Sequence, residues 1–186
     1  MYKRQDEDDT KLFRLLEPGE FGIYTQSDEL PVSDCPVYLM EGVGGICLSG
    51  TATVQVFSHR FRIVRGMVLA LFPWQLISIK EVSDDFGIRF FRISHDMFTD
   101  TLSSLWRARP GFFFYMRTHI ASEPREEYVG RFLNFCDLLA YRAENAPVIC
   151  RRESVMQLLR VFYWDVYTIS VSYTHLRAHE TRHDLV

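Results

Sequence analysis

Between Val37 and Ser94 the chain is cut at short, regular intervals by turn-forming residues: Gly42, Gly44-Gly45, Gly50, Ser58-His59, Arg65-Gly66, Pro73 and Asp84-Asp85. The pieces between them are rich in Val, Ile, Leu and Phe and too short for stable helices, which points to a small antiparallel sandwich or barrel. Thr53-Val-Gln-Val-Phe alternates polar and apolar residues, and Phe61-Arg-Ile-Val follows it across the Ser58-His59 turn. That predicts a hairpin whose register is fixed by the alternation. Gly66 to Pro73, GMVLALFP, is apolar on both faces, as expected of a strand buried between two layers and ended by a proline with no N–H for the ladder. Gly87 to Ile93 reads as a further strand after the Ser83-Asp-Asp turn, and Gly42-Val-Gly-Gly as a tight turn or bulge.

After Ser94 the period changes. Asp96 to Trp106 predicts a short helix opened by Ser94 or Asp96 and broken at Arg109-Pro-Gly. From Pro124 to Asn145 apolar residues such as Tyr128, Phe132, Cys136 and Leu139 recur at helical spacing, with Glu126-Glu127 in the first turn. Asn145-Ala-Pro ends that helix, and Glu153 to Tyr167 repeats the pattern through Val155, Leu159, Phe162 and Val166. Two such neighbours form an antiparallel hairpin. The expected class is mainly β plus α: a small antiparallel β-sandwich or barrel followed by an α-helical hairpin.

The two ends of the chain stand apart. Met1 to Gln5, MYKRQ, can be written as the codons GTG TAT AAG AGA CAG, with GTG as a start codon, and the reverse complement of that string encodes Val-Ser-Tyr-Thr and opens a His codon. Those are Val171 to His175. The string resembles the end sequence of a transposase used to fragment DNA for sequencing libraries, whose adapter would continue as Leu-Arg-Ala-His-Glu-Thr, matching Leu176 to Thr181. Residues 1–5 and 170–186 are therefore read as translated adapter and set aside. His175, His179 and Glu180, which helical spacing would gather as metal ligands, fall in that tail and carry no expected chemistry. The expected organisation is a tail over 1–5, a β domain with an acidic N-terminal arm over 6–95, a helical region over 96–169, and a second tail over 170–186.

The whole chain carries a net charge of −3, and the two ends hold Lys3, Arg4, Arg177 and Arg182 against only Glu180 and Asp184, so the remainder is more acidic still. That charge excludes a nucleic-acid binder by electrostatics alone. A hydrophobic fraction of 47% with 15 Phe is ample for a core, and the apolar runs are broken well short of membrane-spanning length. With no signal peptide, a cytoplasmic protein with no membrane partner is expected. Cys35, Cys47, Cys136 and Cys150 make no C-x-x-C and read as reduced packing thiols.

Three stretches resemble, in order and spacing, the sensor half of AraC-type transcription regulators (the AraC/XylS group): GTATVQVFSHRFRIVRGMVLALFPWQLI at Gly50 to Ile77, SDDFGIRFFRIS at Ser83 to Ser94, and RRESVMQLLRVFYWDVY at Arg151 to Tyr167. The resemblance covers almost all of Asp6 to Ile169. It implies a cupin-like barrel that binds a small-molecule effector or regulates without one, helices that form a homodimer, and DNA reading by a pair of helix-turn-helix motifs. Those motifs would lie in a C-terminal domain beyond Ile169, so the sequence is expected to be a truncated fragment. The rival reading is a stand-alone cupin, either a metal-free small-molecule binder or a metal-dependent enzyme. Metal-dependent cupins need a His-x-His pair with a Glu and a further His, whereas this chain offers a lone His59 in a turn, with His95 beside Asp96 and His119 beside Thr118. No catalytic residue, metal or cofactor is expected. Tyr38, Trp74 and Arg89 would each place a polar handle near an apolar barrel mouth and are the candidate ligand-binding residues, although aromatics also serve as core and Arg89 can simply meet water. Phe132, Leu139, Leu159 and Phe162 form a helical stripe that either covers the barrel or makes the seam of a dimer, and the resemblance favours the seam.

Overall fold

In the computed structural model, which describes residues 14–108 and 111–183 with side chains for 14–103 and 111–169, the alternating segments pair as the sequence requires. Eight strands form: β1 Phe21–Tyr24, β2 Val37–Tyr38, β3 Gly42–Ser49, β4 Thr51–Val56, β5 His59–Val64, β6 Val68–Leu71, β7 Leu76–Lys80 and β8 Gly87–Ile93. All pair antiparallel, in two four-stranded sheets of order β1-β8-β3-β6 and β2-β7-β4-β5. That interleaved order is a jelly roll, the architecture of cupins, so the expected sandwich is present. Four helices follow: α1 His95–Ala108, α2 Gly111–Thr118, α3 Glu126–Asn145 and α4 Val148–His183.

The β4–β5 hairpin buries Ala52, Val54 and Val56 and leaves Thr51, Thr53 and Gln55 half-buried on the other face. Val56 pairs with His59, so the turn is Phe57-Ser58, one residue earlier than expected. Phe57 enters it at a φ of 52° with its ring 5.7 Å from the Arg117 guanidinium. The strand β6 is buried along its length because it faces two cores. Leu69 and Leu71 point between the sheets with Val43, Val54, Ile63 and Phe90, while Val68 and Ala70 face the helices with Phe91 and Ile93. Its free edge is covered by the segment leading to α3: Ser122 N–H donates to the Val68 carbonyl at 2.9 Å, and Ala70 N–H to that of Ile120 at 2.9 Å.

The glycine-rich Gly42-Val-Gly-Gly stretch is the start of β3, not a turn or bulge. Packing explains the difference. A Cβ on Gly44 would lie 2.2 Å from Phe91 Cζ and 2.7 Å from Phe162 Cε1, so the missing side chain is what lets the helical layer close on the sheet. The bulge in this strand falls later, between Cys47 and Ser49.

Ser94 opens α1, accepting the Met97 N–H on its hydroxyl at 3.2 Å. The short α2 was not foreseen. The α3 and α4 pair is the expected hairpin, but α4 starts at Val148 and its backbone stays helical to His183, where a tail without selected structure was expected. No Pro or Gly interrupts 168–183, and a helix already nucleated extends by one backbone bond per residue. The side chains of 170–186, including His175, His179 and Glu180, lie outside the described residues, as does 1–13 with the expected tail and acidic arm. An ion cluster around the buried Arg152 and Glu20 ties the layers together: the Arg152 guanidinium of α4 meets Glu20, just before β1, at 3.1 Å and the half-exposed Asp100 of α1 at 2.7 Å, and Arg14 reaches Glu20 at 3.0 Å.

Candidate functional site

The interior of the jelly roll is packed. Between the sheets, among Val43, Val54, Ile63, Leu71, Ile77 and Ile88, the remaining void is about 20 Å³ and its walls are apolar. That is room for roughly one water, with no polar group to hold it. Arg92 projects from β8 toward the other sheet and is clamped bidentate by Glu41 at 2.5 and 2.6 Å, with Tyr24 under its guanidinium at 5.1 Å. Pairing with Glu41 raises the Arg92 pKa further above its ordinary value.

Tyr38, Trp74 and Arg89 do not converge on a barrel mouth. Tyr38 and Trp74 are close on the backbone, since Tyr38 pairs with Leu76 and the Trp74 N–H donates to the Leu39 carbonyl at 2.7 Å, but both side chains are exposed. Trp74 sits at a φ of 67°, a strained position for a side chain of this size. The turn is fixed by the buried Gln75, which accepts the Phe72 N–H at 2.7 Å and donates to the Arg117 carbonyl at 3.1 Å. The indole packs edge-on to His95 with ring centroids 5.7 Å apart. Arg89 belongs to the other sheet and shares its helix-facing side with Phe91 and Ile93. It lies beside the fully buried Cys136 of α3, whose thiol burial pushes up to about 11 even though the Arg89 charge pulls the other way. Alternation gave Arg89 a face, but the face it shares lies under α3 and not at a rim.

The helical stripe is likewise corrected. Phe132, Leu139, Leu159 and Phe162 are all buried, packed against β-sheet residues and one another in a single core that includes Ile46, Phe91 and Tyr163. They are not available as a seam. The apolar residues that the helices leave exposed are different ones, among them Leu138, Tyr141, Val161 and Trp164.

A groove of about 300 Å³ lies where the open end of the α3–α4 hairpin meets β6. Its floor is the buried set Val68, Phe132, Phe162 and Val166, and Phe135 and Ile169 form its half-buried flanks. The Phe135 and Phe162 rings stack at 5.8 Å, and Phe132 meets Phe162 edge-on at 5.8 Å. Besides the phenol of the buried Tyr128, the polar side chains of its lining are exposed: Arg131 on one side, Asp165 and Thr168 on the other. An apolar slot with a few polar groups at its rim is the usual build of a small-molecule site. Sequence reasoning missed it because the residues spaced at 128, 132, 135 and 162, 166, 169 read as a packing stripe. The only signal to the contrary was a charged residue on each helix beside that stripe.

Among the described residues no three His, Cys, Asp or Glu side chains gather in a way that could hold a metal. His119 has Nδ1 3.0 Å from the Thr118 hydroxyl and 3.0 Å from the Tyr115 carbonyl, and His59 and His95 lie elsewhere. The four cysteines are free, with Cys47 and Cys136 buried, Cys35 exposed and Cys150 half-buried. No helix of the described residues is long and apolar enough to cross a membrane.

No family model matches the chain, and no curated protein matches it. Solved structures of similar shape include ToxT from Vibrio cholerae O395 bound to (E)-4-(8-methylnaphthalen-1-yl)but-3-enoic acid, 14% identical over 81% of this chain and 57% of that one, with a TM-score of 0.47. Wild-type ToxT from strain SCE256 with an unsaturated fatty acid bound is 14% identical over 82% of this chain and 55% of that one, TM-score 0.43. The cupin domain of Cnp3 from Schizosaccharomyces pombe is 16% identical over 47% of this chain and 67% of that one, TM-score 0.35. The chain thus spans little more than half the length of ToxT.

Proposed function

We propose that this chain is the regulatory domain of an AraC-like transcription regulator, which senses a small-molecule effector and pairs with a second copy, is cytoplasmic, and has no catalysis of its own. DNA would be read by a helix-turn-helix domain lying beyond Ile169. The observation that carries this reading is the groove, because its walls come from β6 of the jelly roll and from both helices of the hairpin. An occupant there touches the sheet and the helical layer at once, so occupancy biases how the two sit together, which is what an effector must do. The exposed Leu138 and Tyr141 of α3 and Val161 of α4 supply apolar surface for a copy of the chain, in place of the buried stripe. Determining the source DNA beyond the codon for Ile169 tests the proposal. An open frame running into two helix-turn-helix motifs supports it, and a stop codon at that point overturns it in favour of a stand-alone cupin.

A further inference from the structure

We infer that the groove between α3, α4 and β6 takes a small zwitterion with a single-ring or branched apolar body, in chemical terms an α-amino acid such as an aromatic one. The inference rests on the reading of the groove as an effector site and adds the class of ligand. Its first support is size: a volume of about 300 Å³ lies at the low end for small-molecule pockets, which suits a compact apolar body. Its second is the wall. The Phe132, Phe135 and Phe162 rings present both faces and edges, and an aromatic side chain gains from each arrangement.

The third support is the mouth, and it decides the head group. Arg131 and Asp165 stand on opposite helices at the rim, and neither takes part in an ion pair or hydrogen bond with any described residue. A simple anion entering the slot gains from Arg131 and is opposed by Asp165, and a simple cation meets the reverse. A head carrying both charges, a carboxylate toward Arg131 and an ammonium toward Asp165, is complemented on both sides, and the Thr168 hydroxyl, which donates to the Trp164 carbonyl at 2.9 Å, can accept from the ammonium. The apolar body then lies on Val68, Phe162 and Val166.

The test is calorimetric titration of the whole chain at neutral pH with L-phenylalanine, 3-phenylpropionate and 2-phenylethylamine, and a neutral control, 4-propylphenol. L-Phenylalanine should bind about twofold to fivefold more tightly than either singly charged analogue, the gain expected from one exposed charge pair. Arg131→Gln should erase its advantage over the amine, and Asp165→Asn its advantage over the acid. Both residues are exposed, so neither change threatens the fold. If 3-phenylpropionate binds as tightly as L-phenylalanine, or if only 4-propylphenol binds, the zwitterion assignment is overturned while the effector reading of the groove stands. If none of the four binds at millimolar concentration, both fall.

Discussion

Tyr163 lies fully buried on α4 with its ring against Phe72 at 5.7 Å, Phe98 at 5.8 Å and Phe162 at 5.3 Å, and its hydroxyl has no hydrogen-bond partner. Burial drives its pKa far above the usual phenol value, so the group stays neutral, but an unsatisfied buried hydroxyl still costs about 1–3 kcal/mol. Tyr163→Phe should therefore raise stability by about 1 kcal/mol in urea denaturation, because it keeps the ring contacts and removes the stranded oxygen; a loss of that size would show that the hydroxyl is bonded. Cys136 makes a pH-dependent counterpart. Burial holds its thiol at about 11, above the ordinary value of 9.0, so between those two values the unfolded chain gives up a proton that the folded chain keeps. Stability must then fall as pH rises across that window, by roughly 3 kcal/mol from this group, and its full contribution is present below the unfolded value. Denaturation series near neutral pH and near pH 10.5 check this, and Cys136→Ala, although less stable throughout, should lose that part of the slope.

The elements that could be read from sequence were those whose own period records their burial. The β4–β5 hairpin and α3 have one wet and one dry face, β8 is apolar toward both cores and marked by the turn before it, and all appear within two residues of expectation. β2 is two residues long and β1 four, too short for a period to register, and α2 is carried by a run of aromatics that shows no alternation. Gly42-Val-Gly-Gly was misread for a different reason: glycine marks turns by its freedom in φ, but it also marks places where another layer comes close. Gly44 has an ordinary extended backbone and is needed for space. Gly44→Ala should cost about 2–3 kcal/mol, since a methyl group must displace the Phe91 and Phe162 rings and loosen α4 from β3. Chemical denaturation measures the cost, and the lost ring contacts should appear as reduced near-ultraviolet dichroism with the strand signal intact.

At the scale of the whole molecule, the candidate site was less legible than the fold because it depends on which faces three layers present to one another. The helical stripe is the clearest example. Periodicity shows that Phe132, Leu139, Leu159 and Phe162 share a buried face, and it is equally satisfied by the sheet underneath or by a second chain. The sheet wins because its helix-facing side, with Ile46, Ala70, Phe91 and Ile93, is itself apolar and must be covered, and because the Glu20–Arg152–Asp100 cluster anchors α4 against the start of β1 and against α1. The consequence separates folding from association. Leu139→Asp places a carboxylate in a site with no partner and no water, a cost of several kcal/mol, and should unfold the helical layer rather than split a dimer. Leu138→Asp, one residue along on the 42% exposed side of the same helix, should leave the fold intact. If the hairpin pairs with a second copy as proposed, sedimentation at micromolar concentration will show a dimer that Leu138→Asp or Val161→Asp converts to a folded monomer. A folded Leu139→Asp monomer would instead return the buried stripe to the interface.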